Sequence, residues 1–283
     1  MEEIWKALLV EFFGTFILVF VGAGAVALTA AQGGSLLGSA FAFGLALLVI
    51  VYVFATWSGA HVNPAVSLGY AVSGRMSWLN MIGYWIAQFL GGILAAALIV
   101  FFFGSSSGVG ASVGSLTSTA PWKALLFEAL LTFFLVFAAL QVTNNPALAL
   151  VSGLVIGMIL TADMLVGFPL TGASMNPARS LGPALFSNNI GSYWIYFFGP
   201  LLGAIVAALL FRLMNASWKN PNACVIKKES VCFESAVPMN SQTQNTYLTN
   251  VPLDQYTAAY PAMVPAQAAG YQVSNPQMVN FGQ

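Results

Sequence analysis

Two tripeptides carry the side chains best suited to specific chemistry in this 283-residue chain, Asn63-Pro64-Ala65 and Asn176-Pro177-Ala178. Each follows a long apolar run and a short segment of small residues, Ser58-Gly59-Ala60-His61 before the first and Gly172-Ala173-Ser174-Met175 before the second. Asparagine is a preferred helix N-cap, and proline suits the first helical position because the N–H it lacks would be unpaired there. The chemistry on offer is hydrogen bonding to small neutral molecules. Small residues at Gly59, Ala60, Gly172 and Ser174 let backbone approach a solute closely, extended carbonyls can supply a ladder of acceptors, and Asn63 and Asn176 add amide donors. Arg179, three residues beyond Asn176, adds a cation with no ring of carboxylates near it. The bland alternative is that both asparagines only cap helices and the loops only pack. A single Asn-Pro would favour that; a repeated pair with an adjacent arginine favours a polar path.

Covalent catalysis finds no support. His61 is the single histidine and no partner carboxylate stands beside it, while Cys224 and Cys232 have no histidine near them. Neither a nucleophilic triad nor a metal site is expected, and no cofactor.

The elements that must position these groups are membrane elements. Only 6% of residues are charged and 59% are hydrophobic, with zero formal net charge, against roughly 25% charged residues in soluble domains. The eight Lys and Arg form no stripe, which excludes nucleic acid as a partner. The apolar residues fall in six blocks, at roughly 5–28, 36–56, 78–103, 122–142, 147–168 and 190–214, each long enough for a transmembrane helix. The first has an acidic flank and no cleavage-site layout, so it reads as a retained span. The segments opened by Asn63 and Asn176 run to about Gly74 and Phe186, roughly 15 Å each, half of a ~30 Å hydrocarbon core.

The chain repeats itself. EFFGTFILVF at 11–20 resembles EALLTFFLVF at 128–137, GAHVNPA at 59–65 matches GASMNPA at 172–178, and Tyr84…Gly91-Gly92 is echoed by Tyr196…Gly203-Ala204. Each copy, about 5–103 and 122–214, holds three spans and one half-helix. An odd number of spans inverts the second copy relative to the first. The fold expected is therefore an all-α membrane protein, six transmembrane helices plus two re-entrant half-helices in an inverted repeat, with the positive half-helix ends meeting at mid-membrane. Glu11 and Glu128 occupy equivalent intramembrane positions. A proton relay is one role; accepting N–H groups from the irregular loops is the favoured one. Asp163, whose counterpart is Ile50, is expected near the outer surface and has no assigned role.

Lys6, Arg75, Arg212, Lys219, Lys227 and Lys228 fall on one side and only Lys123 and Arg179 on the other, which predicts cytoplasmic termini in a plasma or intracellular membrane. Residues 215–283 turn to Pro, Gln, Asn, Ser and Tyr and are expected to be a disordered cytoplasmic tail. Cys224 and Cys232 within it read as reduced thiols, with palmitoylation as the alternative.

The paired boxes, the Glu-x-x-Gly-Thr opening at 11–15, SGAHVNPAV at 58–66 and NPARSLGPA at 176–184 resemble the aquaporin (major intrinsic protein) family over about residues 5–214. The resemblance implies one pore per subunit and a homotetramer. It carries the family's selectivity filter onto Phe43, Met164, Ala173 and Arg179, and its pore histidine onto His61. Water channels of the family place His at the Met164 position; glycerol facilitators place Gly there and Trp at the Phe43 position. The combination here matches neither. Ser180 and Ala184 are of the water type, while Phe197 stands where water channels carry Trp. The reading that follows is a passive channel for water, hydrogen peroxide and other very small neutral solutes, closed to protons and ions. The alternatives are an aquaglyceroporin conducting glycerol or urea, and a junctional scaffold supported only by the uncharged loop at 104–121 and the tail.

Overall fold

The computed structural model describes residues 4–32, 35–187 and 189–216, and these form helices joined by loops, without a strand. Among the described residues six helices are long and apolar enough to cross a membrane. They are α1 (Ile4–Gln32), α2 (Leu36–Ser58), α4 (Trp78–Phe103), α6 (Pro121–Asn144), α7 (Ser152–Thr171) and α9 (Tyr193–Asn215). Two short helices, α3 (Pro64–Val72) and α8 (Pro177–Phe186), follow the re-entrant loops. A 3₁₀ turn at Ser105–Gly110 and α5 (Ser115–Thr119) lie between α4 and α6. The tail expected from residue 215 lies, from Ser217 onward and with both cysteines, outside the described residues.

The long helices are apolar on all faces, so they bury one side on each other and leave the other to lipid. Leu79, Phe101, Leu150 and Leu213 are among the most exposed side chains. Exposed Trp5, Trp57 and Trp78 sit at helix ends on the side of Ile4 and Asn215, and Trp122 and Trp194 at helix ends on the opposite side. Two tryptophan belts of this kind mark the two interfaces of a bilayer.

The internal repeat is visible in the packing. In the first half α1 packs on α4 and α2; in the second, α6 packs on α9 and α7; α2 and α7 join the halves. Glycine sets the tightest crossings. A Cβ on Gly91 would lie 2.3 Å from the Phe12 carbonyl oxygen, and one on Gly203 2.0 Å from that of Ala129, so only glycine permits these backbones to touch. The short helices cross over: α3 packs on α9 and α8 on α4, and each braces the opposite half.

Candidate channel site

The site is built where the two re-entrant loops meet. Asn63 and Asn176 cap α3 and α8 as their sequence context dictates: Asn63 Oδ1 accepts from Ala65 N at 2.8 Å, and Asn176 Oδ1 from Ala178 N at 3.0 Å and Arg179 N at 3.1 Å. Each amide also reaches across the pseudo-symmetry. Asn63 Nδ2 donates to the Met175 carbonyl and Asn176 Nδ2 to the Val62 carbonyl, both at 2.9 Å. This reciprocal pair fastens the two half-helix N-termini head to head. It uses one N–H of each amide and leaves a second, and both asparagines line the central cavity.

The loops entering this junction are not extended, as the sequence suggested. Gly59, Ala60 and Val62 have φ of 85°, 50° and 44°, and Gly172, Ala173 and Met175 have 81°, 45° and 53°. Left-handed backbone at non-glycine residues costs of order 1–3 kcal/mol each and persists only where surroundings enforce it. Buried carboxylates provide the enforcement. Glu11 accepts from His61 N at 2.9 Å, Val62 N at 2.6 Å, Ser58 Oγ at 2.7 Å and Gln88 Nε2 at 2.7 Å. Glu128 accepts from Ser174 N at 2.9 Å, Met175 N at 2.8 Å and Thr171 Oγ1 at 2.7 Å. Charge-assisted bonds to backbone N–H groups are strong in a dry interior. Tyr84 and Tyr196 complete the frame by donating to the carbonyls of Ser58 and Thr171, at 2.8 and 2.7 Å.

A cavity of about 270 Å³ runs past this junction. At one end stand Phe43, Met164 and Arg179; past Asn63 and Asn176 come His61, Gly59 and Ala60; at the other end stand Tyr70, Arg75, Thr143 and Ser152. Apolar side chains of α2 and α7, such as Leu47 and Leu160, face these polar groups. Arg179 is buried and fixed: Nη1 donates to Ser112 Oγ, Nη2 to the Gly172 carbonyl at 3.3 Å, and its Cζ lies 4.9 Å from the Phe43 ring centroid. His61 Nδ1 pairs with Ser67 Oγ at 3.1 Å, which leaves Nε2 as the ring nitrogen available to the cavity.

A model of the major intrinsic protein family matches residues 1–211. The chain is 38% identical over 239 residues to Aquaporin NIP1-1 of Zea mays, covering 83% of each chain. It is 40% identical over 217 residues to Aquaporin Z of Brucella melitensis, covering 71% of this chain and 94% of that one. The chain belongs to the major intrinsic protein family. Its fold is shared with a solved structure described as the aquaglyceroporin from Plasmodium falciparum, with a TM-score of 0.67, 24% identity, and coverage of 78% of this chain and 99% of that one. It is thus an integral multi-pass membrane protein and a small-solute channel, not an enzyme.

Within this major intrinsic protein the expected site residues do not all reach the cavity. Pro64, Ala65, Pro177 and Ala178 are buried at the half-helix starts, where they pack and present carbonyls to neighbours: Trp85 Nε1 donates to Pro64 O at 2.9 Å and Tyr193 OH to Pro177 O at 3.2 Å. Ala173 is 0% exposed, and its methyl points toward Gly167, where an added Cβ would lie 2.8 Å from it. Gly172 abuts Ser112 and Val113 and gives its carbonyl to Arg179. Both shape the filter from behind. Asp163 is buried in the later half of α7, about two turns before its end, and its Oδ2 has no partner among the described residues.

Three contributors, Ser112, Ser67 and Gln88, were not expected from the sequence, and Ser180, noted there only for its type, has a defined contact. Ser112 comes from the 104–121 segment, read only as an uncharged loop, yet it is buried against Arg179 and within 2.6 Å of Ser180 Oγ. Ser67 and Ser180 each stand four residues after a box asparagine, and each hydroxyl ties back to its own loop, to His61 and to Ser174. Gln88 bridges Glu11 and Ser67. Only the recurrence of serine at that fixed offset was a usable signal.

Proposed function

We propose that this chain is a passive water channel that also passes hydrogen peroxide, admits glycerol slowly and excludes protons and ions. The observation that carries this reading is a single cavity that holds the cross-linked Asn63 and Asn176, the Phe43, Met164 and Arg179 group at one end, and no Asp or Glu anywhere in its lining. A molecule that fits can exchange bulk water for loop carbonyls and asparagine N–H groups on one side while sliding past apolar walls on the other. A cation meets Arg179 and then two converging positive helix ends, with no carboxylate to replace its hydration. Met164 offers no donor and its thioether is deformable, so the filter is more forgiving than one with histidine there, yet bulkier than one with glycine. The aquaporin names of the curated relatives agree with a water channel; the aquaglyceroporin likeness speaks to fold alone.

Glu11 and Glu128 are read as loop supports, since every bond they make is to a loop or framework donor. We assign both termini to the cytoplasm by the positive-inside rule; in support, Lys6, Arg75 and Arg212 lie at one end of the bundle while Lys123 and Arg179 lie toward the other. The working assembly is a homotetramer with one pore per subunit.

The test is reconstitution into liposomes, with swelling in water and glycerol gradients measured beside peroxide uptake and an internal pH dye. Fast water and peroxide flux, slow glycerol flux and a silent pH dye are expected. Glycerol flux equal to that of a Met164→Gly/Phe43→Trp variant, or a channel-dependent proton current, overturns the reading.

A further inference from the structure

Arg179 is not the only cation lining the cavity. Arg75 lines the opposite mouth, on the side of Ile4 and Asn215, and among the described residues no other Lys or Arg and no carboxylate contributes to the wall. Its placement is built. Gly74, at φ 81°, turns the chain out of α3, and Arg75 N donates to the Tyr70 carbonyl at 2.9 Å. The guanidinium then reaches the end of α6: Nη1 donates to Leu140 O and Thr143 Oγ1, and Nη2 to Thr143 O, all at 3.1 Å. Its Cζ lies 5.1 Å from the Tyr70 ring centroid, Tyr70 OH pairs with Thr143 Oγ1 at 2.7 Å, and the His61 and Tyr70 ring centroids are 4.3 Å apart. The side chain is exposed to the mouth but held on three sides.

The electrostatics of this mouth differ from those of the filter. The C-terminal ends of α3 and α6 both lie here, beside the start of α7 at Ser152, and helix C-termini carry partial negative charge that attracts cations. Arg212 Nη1 donates to the Val72 carbonyl of α3 at 3.2 Å, whereas the end of α6 receives Arg75. Of these two arginines only Arg75 lines the cavity wall, so it alone can offset the α6 end along the path. We propose that Arg75, seated by Tyr70 and Thr143, is a second cation-excluding station, acting at the inner mouth and independently of Arg179. It rests on the channel reading above and names monovalent cations such as potassium as the species refused. The competing role is that Arg75 merely caps α6; capping needs the fork of hydrogen bonds, whereas exclusion needs the charge.

The experiment exploits that difference. Potassium conductance, normalised to water permeability, is compared in oocytes for Arg179→Val alone and combined with Arg75→Gln or Arg75→Lys. One unit charge a few ångströms from the path, in a medium between water and protein, changes ion occupancy by about three- to tenfold. Arg179→Val/Arg75→Gln should therefore exceed Arg179→Val by that factor, while Arg179→Val/Arg75→Lys should match Arg179→Val. Equal conductance of all three, whether leaking or silent, overturns the station, as does a Lys variant that leaks like Gln. If the Gln variant does not assemble, Arg75→Met keeps the stem against Tyr70 and removes the charge, and the same comparison holds. Wild-type water permeability measured in the same cells separates the two ideas, since its absence would defeat the channel reading rather than this one.

Discussion

The two halves anchor their re-entrant loops with the same residue but in different company. Glu11 has four donors around it, two backbone N–H groups, a hydroxyl and the Gln88 amide; Glu128 has three and no amide, because Pro200 occupies the position equivalent to Gln88. Trp85 holds the Pro64 carbonyl; in the second half Phe197 takes the tryptophan's place and Tyr193 supplies the donor instead. Val66 in the first half corresponds to Arg179 in the second. The first half is thus the better-tied scaffold, and the second carries the filter cation. Symmetry delivers the frame; departures from it deliver selectivity.

The sharpest way to break that comparison is to neutralise the anchors. Glu11→Gln and Glu128→Gln each remove a charged acceptor and leave buried donors facing an amide, a loss of about 3 kcal/mol or more. Glu11→Gln should lower the unfolding midpoint in detergent further, since more donors depend on it. Equal losses, or the reverse order, would show that the Gln88 contact contributes little. Next in size, Arg179→Val writes the first half's residue into the second. Glycerol permeability should rise on the order of tenfold, the size expected when one charged, hydrogen-bonded barrier group goes, with water flux retained. An unchanged glycerol-to-water ratio in liposome swelling would place the size filter elsewhere.

Smaller effects concern the filter's soft wall. Met164→His adds a ring N–H and stiffness, and should lower peroxide uptake a few-fold while water flux persists. If peroxide uptake is unchanged, the thioether is not what sets the filter's tolerance. The smallest effect is expected of Trp85→Phe, which makes the first half resemble the second at this position without providing a substitute for Tyr193. One neutral hydrogen bond is lost, so destabilisation should be about 1 kcal/mol or less, readable as a modest shift in detergent unfolding. No shift would mean that the Pro64 carbonyl finds another donor.

Much of the frame was legible in the chain because the repeat prints each functional position twice. Glu11 and Glu128, Tyr84 and Tyr196, and the two box asparagines could be paired by the motifs around them, and the Asn-Pro caps follow from local backbone chemistry. The filter was less legible. Phe43, Met164 and Arg179 do converge on one end of the cavity, but spacing cannot say which way a side chain turns. Ala173, at a left-handed φ of 45°, sets its methyl against Gly167, and it is not among the residues that line the cavity.

The sequence by itself determined the class, the six spans, the two capped half-helices and their inverted relation, because hydropathy, capping and repetition are local or periodic properties. Only the tertiary structure decided which donors surround each buried carboxylate, that the asparagine amides bond across the halves, and that Ser112 holds Arg179. These pairs lie 43 to 114 residues apart. They exist because buried polar groups in a low-dielectric interior must find partners wherever the packing brings them, and no local signal encodes that meeting.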